Sequence, residues 1–233
     1  MKKITLAVLM ILSSFSIASA ELGINVGASG LVGLYEVSGK EVENAETNTH
    51  KKQESLAGMA SVFIEKDLTF LPGPLSRLTV GYDKVLHKIE SGSESRMDRD
   101  LVGYPATTGN TGNGIINDRS KNTLKVSLDN IRTLYVTANL TDWLFIRSGR
   151  MSMDIETQEN LDSGSKYGNT STDGTILSAG LNFKTDGGIF TRMEVVDTSL
   201  DAVSVKSSTN ADNTVTMSGI DGTSYRVSIG KAF

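Results

Sequence analysis

His50 and His87 are the only imidazoles in this 233-residue chain, and cysteine is absent. Acid–base or nucleophilic chemistry would therefore have to be organised around one of them, or around carboxylates alone. His87 stands in Leu86-His87-Lys88-Ile89-Glu90-Ser91, which holds a base, an acid and a hydroxyl. A hydrolytic triad needs the base within hydrogen-bond reach of its nucleophile and an orienting acid on the other ring nitrogen. Along a strand, residues three apart face opposite sides, so Glu90 is badly placed to orient His87. Neither H-E-x-x-H nor G-x-S-x-G occurs. His87 reads as an exposed or rim histidine, and no catalytic or cofactor-binding residue is assigned. Asp98, Asp100, Asp162, Asp212 and Asp221 lack the spacing of a calcium loop, and without thiols a cysteine zinc site is excluded. No metal ligand is assigned; these acids read as loop charge.

A second set of charged residues has a different pattern. Glu65, Asp83, Arg147, Arg192, Glu194 and Arg226 fall at alternate positions of strand-like segments, interleaved with Gly149, Gly180 and Gly230. Alternation of this kind puts one set of side chains on a single sheet face. If the sheet closes on itself, these six become candidate lumen charges. A lumen of eight strands is only wide enough for side chains to fill it. Charges of both signs in that space must pair or keep water, because an unpaired buried charge costs several kcal/mol. Two arrangements satisfy this: a plug of ion pairs, or a narrow conduit lined by the same groups.

The segments carrying these residues are predicted as strands over 22–38, 53–66, 76–90, 122–140, 143–155, 174–184, 188–198 and 222–233. Leu177, Ala179, Leu181 and Phe183 alternate with Ser178, Gly180, Asn182 and Lys184. Leu134, Val136, Ala138 and Leu140 alternate with Tyr135, Thr137 and Asn139. Leu144, Ile146 and Ser148 are expected outward, with Phe145, Arg147 and Gly149 inward. Segment 122–140 exceeds one crossing of about 9–11 residues, so its first part is expected to project beyond a bilayer, with either a tilt or a bulge near Asp129-Asn130. Compact connections fall at Leu71-Pro72-Gly73-Pro74, Thr141-Asp142 and Thr185-Asp186-Gly187. Longer polar ones cover 39–52, 91–121, 156–173 and 199–221. Trp143, Phe183, Phe63 and Phe233 are expected to form an interfacial aromatic girdle on the short-turn side.

The two ends carry addresses. Lys2 and Lys3 precede an apolar stretch from Ile4 to Leu12, and Ala18-Ser19-Ala20 is an A-x-A site. Residues 1–20 are thus predicted to be a cleaved signal peptide, leaving 21–233 as a single domain. Without Lys2 and Lys3, 21 basic residues face 27 acidic ones, a net charge of −6. No basic run suited to a phosphate backbone remains, so nucleic acid is excluded as a partner. After residue 20 no stretch approaches the ~18 apolar residues of a membrane helix, so any membrane crossing must use a closed barrel. At the other end, Tyr225, Val227 and Ile229 alternate with Arg226, Ser228 and Gly230, and the chain stops on Phe233.

That ending resembles the carboxy-terminal assembly signal of Gram-negative outer-membrane proteins, with Tyr225, Val227, Ile229 and Phe233 in the signal positions. Lys231 departs from the usual apolar choice. Together with the leader, it makes the chain similar to small outer-membrane barrels of the OmpA-transmembrane-domain, OmpX and OmpW kind and the broader porin-like group. The resemblance implies an all-β, antiparallel up-and-down transmembrane barrel of eight strands. Its turns would be short and periplasmic, its loops long and extracellular, and both termini periplasmic. It also implies partners in outer-membrane lipid, lipopolysaccharide and the secretion and barrel-assembly machinery; oligomeric state is left open. The expected role is a non-enzymatic structural or surface barrel, or a narrow porin-like channel for small solutes. The alternative is a lipid-modifying outer-membrane enzyme.

Overall fold

In the computed structural model, residues 22–43, 46–90, 94–98, 120–160, 166–209 and 212–233 are described. The predicted signal peptide and most of segment 91–121 lie outside them. Eleven strands follow in chain order: β1 (Ile24–Glu43), β2 (Glu46–Asp67), β3 (Leu78–Val85), β4 (Ile89–Glu90), β5 (Glu94–Asp98), β6 (Ser120–Asn139), β7 (Leu144–Asn160), β8 (Thr170–Lys184), β9 (Ile189–Leu200), β10 (Val203–Lys206) and β11 (Thr214–Ala232). Eight of them, β1, β2, β3, β6, β7, β8, β9 and β11, pair antiparallel in that order, and β11 pairs back onto β1. The sheet therefore closes, which leaves no free edge through the body of the barrel. Short β4 and β5 add to the far part of β6, and β10 to that of β11.

All three compact connections lie at one end. Residues 68–77 carry a 3-10 turn over Gly73–Arg77, Thr141 Oγ1 accepts the Leu144 amide at 2.9 Å, and the Thr185 amide donates to the Ile189 carbonyl at 2.8 Å. The opposite end differs from the sequence expectation. Residues 39–43 and 46–52 are strand rather than loop, since β1 and β2 pair out to Glu43 opposite Glu46. His50 thus lies on β2, opposite Gly39. Segments 156–173 and 199–221 likewise contain the far parts of β7 and β11 and all of β10. Polar, Thr-rich composition suggested loops there, but a strand that leaves a membrane can be polar on both faces and keep its ladder.

Of the two alternatives near Asp129-Asn130, β6 has the bulge. The β6–β7 register shifts between Asp129 and Arg132, and Asn130 has φ of 50°. Asn is among the few non-glycine residues that tolerate this region, and the Asn130 amide donates to Asp129 Oδ1 at 2.8 Å.

Outside, Val32, Leu34, Val62, Ile64, Leu134, Val136, Ile146, Leu177, Met193, Val195, Tyr225, Val227 and Ile229 are exposed on the wall. Inside, the facing positions are buried, so the barrel is apolar outside and mixed inside. A soluble protein would reverse this; a membrane-spanning barrel requires it. Trp143 and Phe183 are exposed at the turn side, as an interfacial girdle needs. Phe63 is not part of it. The parity that brings Ser61 and Glu65 inside brings Phe63 with them, 7 % exposed and 6.2 Å from the Phe190 ring.

Candidate functional site

The barrel interior is the site, and strand register builds it. Inward aromatic residues stand directly across from glycines: Phe63 from Gly27, Tyr35 from Gly222, Phe145 from Gly180, and Phe190 from Gly230. Tyr135 has a glycine on both sides, Gly81 on β3 and Gly149 on β7. A Cβ at Gly149 would lie 2.7 Å from Tyr135 Cβ, and one at Gly180 would lie 2.7 Å from Phe145 Cζ. A narrow interior accepts wide rings only where the neighbouring strand has no side chain.

Those rings frame a charged layer in the turn-side half. All six candidate lumen charges face inward and are buried: Glu65, Asp83, Arg147, Arg192, Glu194 and Arg226. Glu65, 2 % exposed, is the hub. Arg192 grips it bidentately, Nη1 to Oε1 at 2.6 Å and Nη2 to Oε2 at 2.9 Å. Tyr135 Oη donates to Glu65 Oε1 at 2.9 Å, and Arg147 Nη2 reaches the same oxygen at 3.4 Å. Arg147 also donates from Nη1 to Glu194 Oε1 at 2.9 Å and from Nε to Thr137 Oγ1 at 3.0 Å. Ser178 Oγ donates to Glu194 Oε2 at 2.8 Å, and Arg226 Nη1 lies 4.0 Å from Glu194 Oε1. Asp83 accepts from Ser61 Oγ at 2.7 Å.

Two carboxylates, Glu65 and Glu194, thus meet three guanidiniums, while Asp83 is held by Ser61. The Arg147 guanidinium sits 4.3 Å from the Tyr135 ring centroid and that of Arg192 4.4 Å from Phe190, so the cations also rest on aromatic faces. Bidentate and charge-assisted bonds of this kind offset the desolvation of buried ions. Arg226 Nε has no partner among the described residues.

The interior changes character further from the turns. Leu31, Val85, Ile131, Met151, Met153, Ile176, Val196 and Leu200 form one buried cluster, with Tyr35, Met59, Leu128 and Ile220 packed against it. Val196 and Ile176 are almost wholly enclosed. Strand alternation singled out none of these apolar residues for the lumen, nor does it show that they gather at one depth. At the turn-side mouth lies a vestibule of about 690 Å³, bordered by Asn25, Asp67, Thr79, Asn139, Asn182 and Arg192. Asp67 Oδ1 accepts there from Thr79 Oγ1 at 2.7 Å and Asn25 Nδ2 at 3.1 Å.

His87 lies away from all of this, at the outer end of the β2–β3 seam. Its Nε2 accepts the Ala60 amide at 3.1 Å, and Nδ1 is 3.0 Å from the Lys88 carbonyl. Glu90 is engaged instead by Lys125 Nζ at 2.7 Å. Nearby, Lys88 Nζ bridges Glu156 at 2.6 Å and Asp129 at 3.1 Å. Hydrogen bonding to Glu156, then to Asp129, raises the Lys88 pKa. The Asn130 amide, then Lys88, lowers that of Asp129. Of the loop acids, Asp221 is on β11 facing outward, where it accepts from Ser199 Oγ at 2.7 Å. Asp98 is in β5 and Asp212 lies just before β11, while Asp100 and Asp162 fall outside the described residues. In the terminal segment Tyr225, Val227 and Ile229 face outward, and the Phe233 amide donates to the Ile24 carbonyl at 2.8 Å.

The fold and this interior define the class: a closed, eight-stranded antiparallel transmembrane β-barrel. No protein-family model matches the chain, and no curated protein does. Among solved structures it is similar to the outer membrane protein OprG from Pseudomonas aeruginosa, at 10 % identity over 91 % of this chain and 97 % of that one, with a TM-score of 0.43. Neisserial surface protein A gives 7 % identity over 91 % and 97 %, with a TM-score of 0.39. The outer membrane protease OmpT from Escherichia coli gives 10 % over 95 % and 100 %, with a TM-score of 0.43. The architecture stated here rests on the chain's own strand order and register.

Proposed function

We propose that this protein is a non-enzymatic outer-membrane barrel whose interior is closed, so that its role is structural or at the cell surface rather than conductive. The observation that supports closure most is the stacking of two different fillings. A charge-balanced layer around Glu65 and Glu194 is followed by the apolar cluster around Val196 and Ile176. An ion crossing the lumen would have to break the first and then shed its water in the second. Both ring nitrogens of His87 are occupied by backbone groups, which favours a structural part for it. The closed sheet and its apolar outer wall support the outer membrane as its location, and the reading puts the compact turns in the periplasm.

Single-channel recording of the purified protein in a planar bilayer tests closure. A silent bilayer is expected; steady openings would establish a narrow conduit instead. Orientation is tested separately, because a chain without cysteine accepts single reporters cleanly. A membrane-impermeant maleimide should label Ser208→Cys on intact cells, and Asp186→Cys only after the outer membrane is permeabilised. The reverse pattern would invert the topology.

A further inference from the structure

The outer wall is not uniform around the barrel. On β1 the outward series from Val26 to Leu34 runs five positions before Glu36, and on β2 that from Ile64 to Leu56 runs five before Glu54. On β3, β6 and β7 it stops after three, at Tyr82, Leu134 and Ser148, and the next outward residues are Lys84, Arg132 and Arg150. All three cations are exposed. Lys84 stands directly across from apolar Val62, with three more outward apolar or small positions of β2 still beyond it. An outward step along a strand tilted near 40° gains roughly 5 Å of depth, so this wall turns basic about 10 Å closer to the turns than β1 and β2 do.

The three charges are also close to one another. Lys84 is the cross-strand partner of Arg132, and Arg150 is diagonal to Arg132 because it pairs with Leu134. Directly opposed side chains have Cβ atoms about 5 Å apart, and like charges in that relation repel. Neighbouring carboxylates do not relieve this fully. Arg150 Nη2 has Asp173 at 3.4 Å and Asp201 at 3.8 Å, Arg132 Nε donates to the neutral Ser152 Oγ at 3.0 Å, and Asp129 is held by Lys88. Among the described residues Lys84 and Arg132 make no salt bridge, although Lys84 lies near enough to Asp129 to favour its charged form.

The geometry points to a site for the phosphate groups of an anionic outer-leaflet lipid on the β3–β6–β7 wall, with Lys84 and Arg132 as its principal ligands and Arg150 at its margin. The long stems of Lys84 and Arg132 lie along the apolar wall and raise their charges toward the headgroup level. A phosphate seated between them removes their mutual repulsion and the cost of facing lipid unpaired. Acyl chains of the same lipid would lie against Tyr82, Leu134 and Val136. The adjoining wall, with Glu54, Glu36 and Asp221 aligned across β2, β1 and β11, offers no such complement. The inference rests on the proposed outer-membrane reading.

Binding of bis-phosphorylated lipid A to the purified full-length barrel in micelles, followed by native mass spectrometry, tests it. The Lys84→Gln/Arg132→Gln double variant should bind at least tenfold more weakly, whereas Lys184→Gln at the turn side should bind as the wild type. Dephosphorylated lipid A should bind the wild type no better than the double variant binds lipid A. Millimolar inorganic phosphate should not displace the lipid. The charge-preserving Lys84→Arg/Arg132→Lys variant should retain binding, and heat-modifiable migration reports that each variant is folded. Equal binding by the double variant, equal loss in Lys184→Gln, or displacement by inorganic phosphate would overturn the site while leaving the membrane barrel intact. A wild-type chain that neither inserts into vesicles nor shows heat-modifiable migration would overturn both.

Discussion

The two halves of the interior are filled by opposite means, although the same eight strands enclose them. Near the turns, cohesion is directional: Glu65 receives donors from Arg192, Arg147, Tyr135 and Asn25, and each must be in place for the others to be satisfied. Further out, Leu31, Ile131, Ile176, Val196 and Leu200 cohere by packing alone. A polar network fixes one arrangement because an unpaired member is costly, while an apolar cluster tolerates substitution of similar volume. Strand positions in the charged half should therefore be intolerant and those in the apolar half forgiving.

Breaking the charged half should have the largest effect. Glu65→Leu leaves Arg192 and Arg147 without their shared acceptor, and we expect a loss of about 3–5 kcal/mol in urea unfolding from vesicles. Ile176→Val, in the apolar half, should cost only ~0.5–1.5 kcal/mol in the same titration. A smaller loss for Glu65→Leu than for Ile176→Val would remove the distinction between the halves.

The wall gives the next largest effect. Leu177→Arg, at a site 61 % exposed to the outside, should cost about 2–4 kcal/mol if it faces the lipid midplane, and Ser178→Arg should be milder in lipid-exposure terms while crowding the lumen. If tryptophan fluorescence quenching by brominated lipid reported position 178 rather than 177 as lipid-facing after Trp replacement, the β8 register would be one residue out.

Gly149→Ala sharpens the comparison from within the charged half. The added methyl meets the Leu134 carbonyl oxygen and Tyr135 Cβ, each at 2.7 Å, so β6 must shift and carry Tyr135 with it, for about 1–3 kcal/mol. Phe in place of Tyr135 together with Gly149→Ala should cost less than the two changes added separately, since the hydroxyl bond is lost only once.

The smallest effect lies outside the membrane, at Lys88, Asp129 and Glu156. Asp129 has a lowered pKa, so its contribution is present above the ordinary carboxylate value and is lost as pH falls through the folded value. Lys88 has a raised pKa, so its contribution is present below the ordinary lysine value and is lost as pH rises through the folded one. Protection of the Ile89 and Leu128 amides, taken as exchange relative to the unstructured-peptide rate at each pH, should be greatest between the two limits. Lys88→Gln should flatten that dependence without altering exchange in the turn-side half.

The lumen charges were legible in the sequence because strand alternation is strict: once Arg147, Arg192, Glu194 and Arg226 share a parity with their glycines, they share a face. The three compact turns were legible too, through Pro, Gly and Asp. Phe63 departs from the expected girdle because parity along β2, and not nearness to the strand end, sets its facing. The far strand parts over 39–43 and 46–52 carry polar residues on both faces and so give no period to read.

Alone, the sequence determined which residues face in and which face out, since that depends only on neighbours two apart along the chain. Only the tertiary structure decided which inward residues meet: that Glu65 on β2 reaches Arg192 on β9, that Tyr135 rests between Gly81 and Gly149, and that Lys84 opposes Arg132 on the outer wall. Those meetings are set by the stagger between strands when the sheet closes. Stagger is a property of the whole ladder, and no single segment carries it.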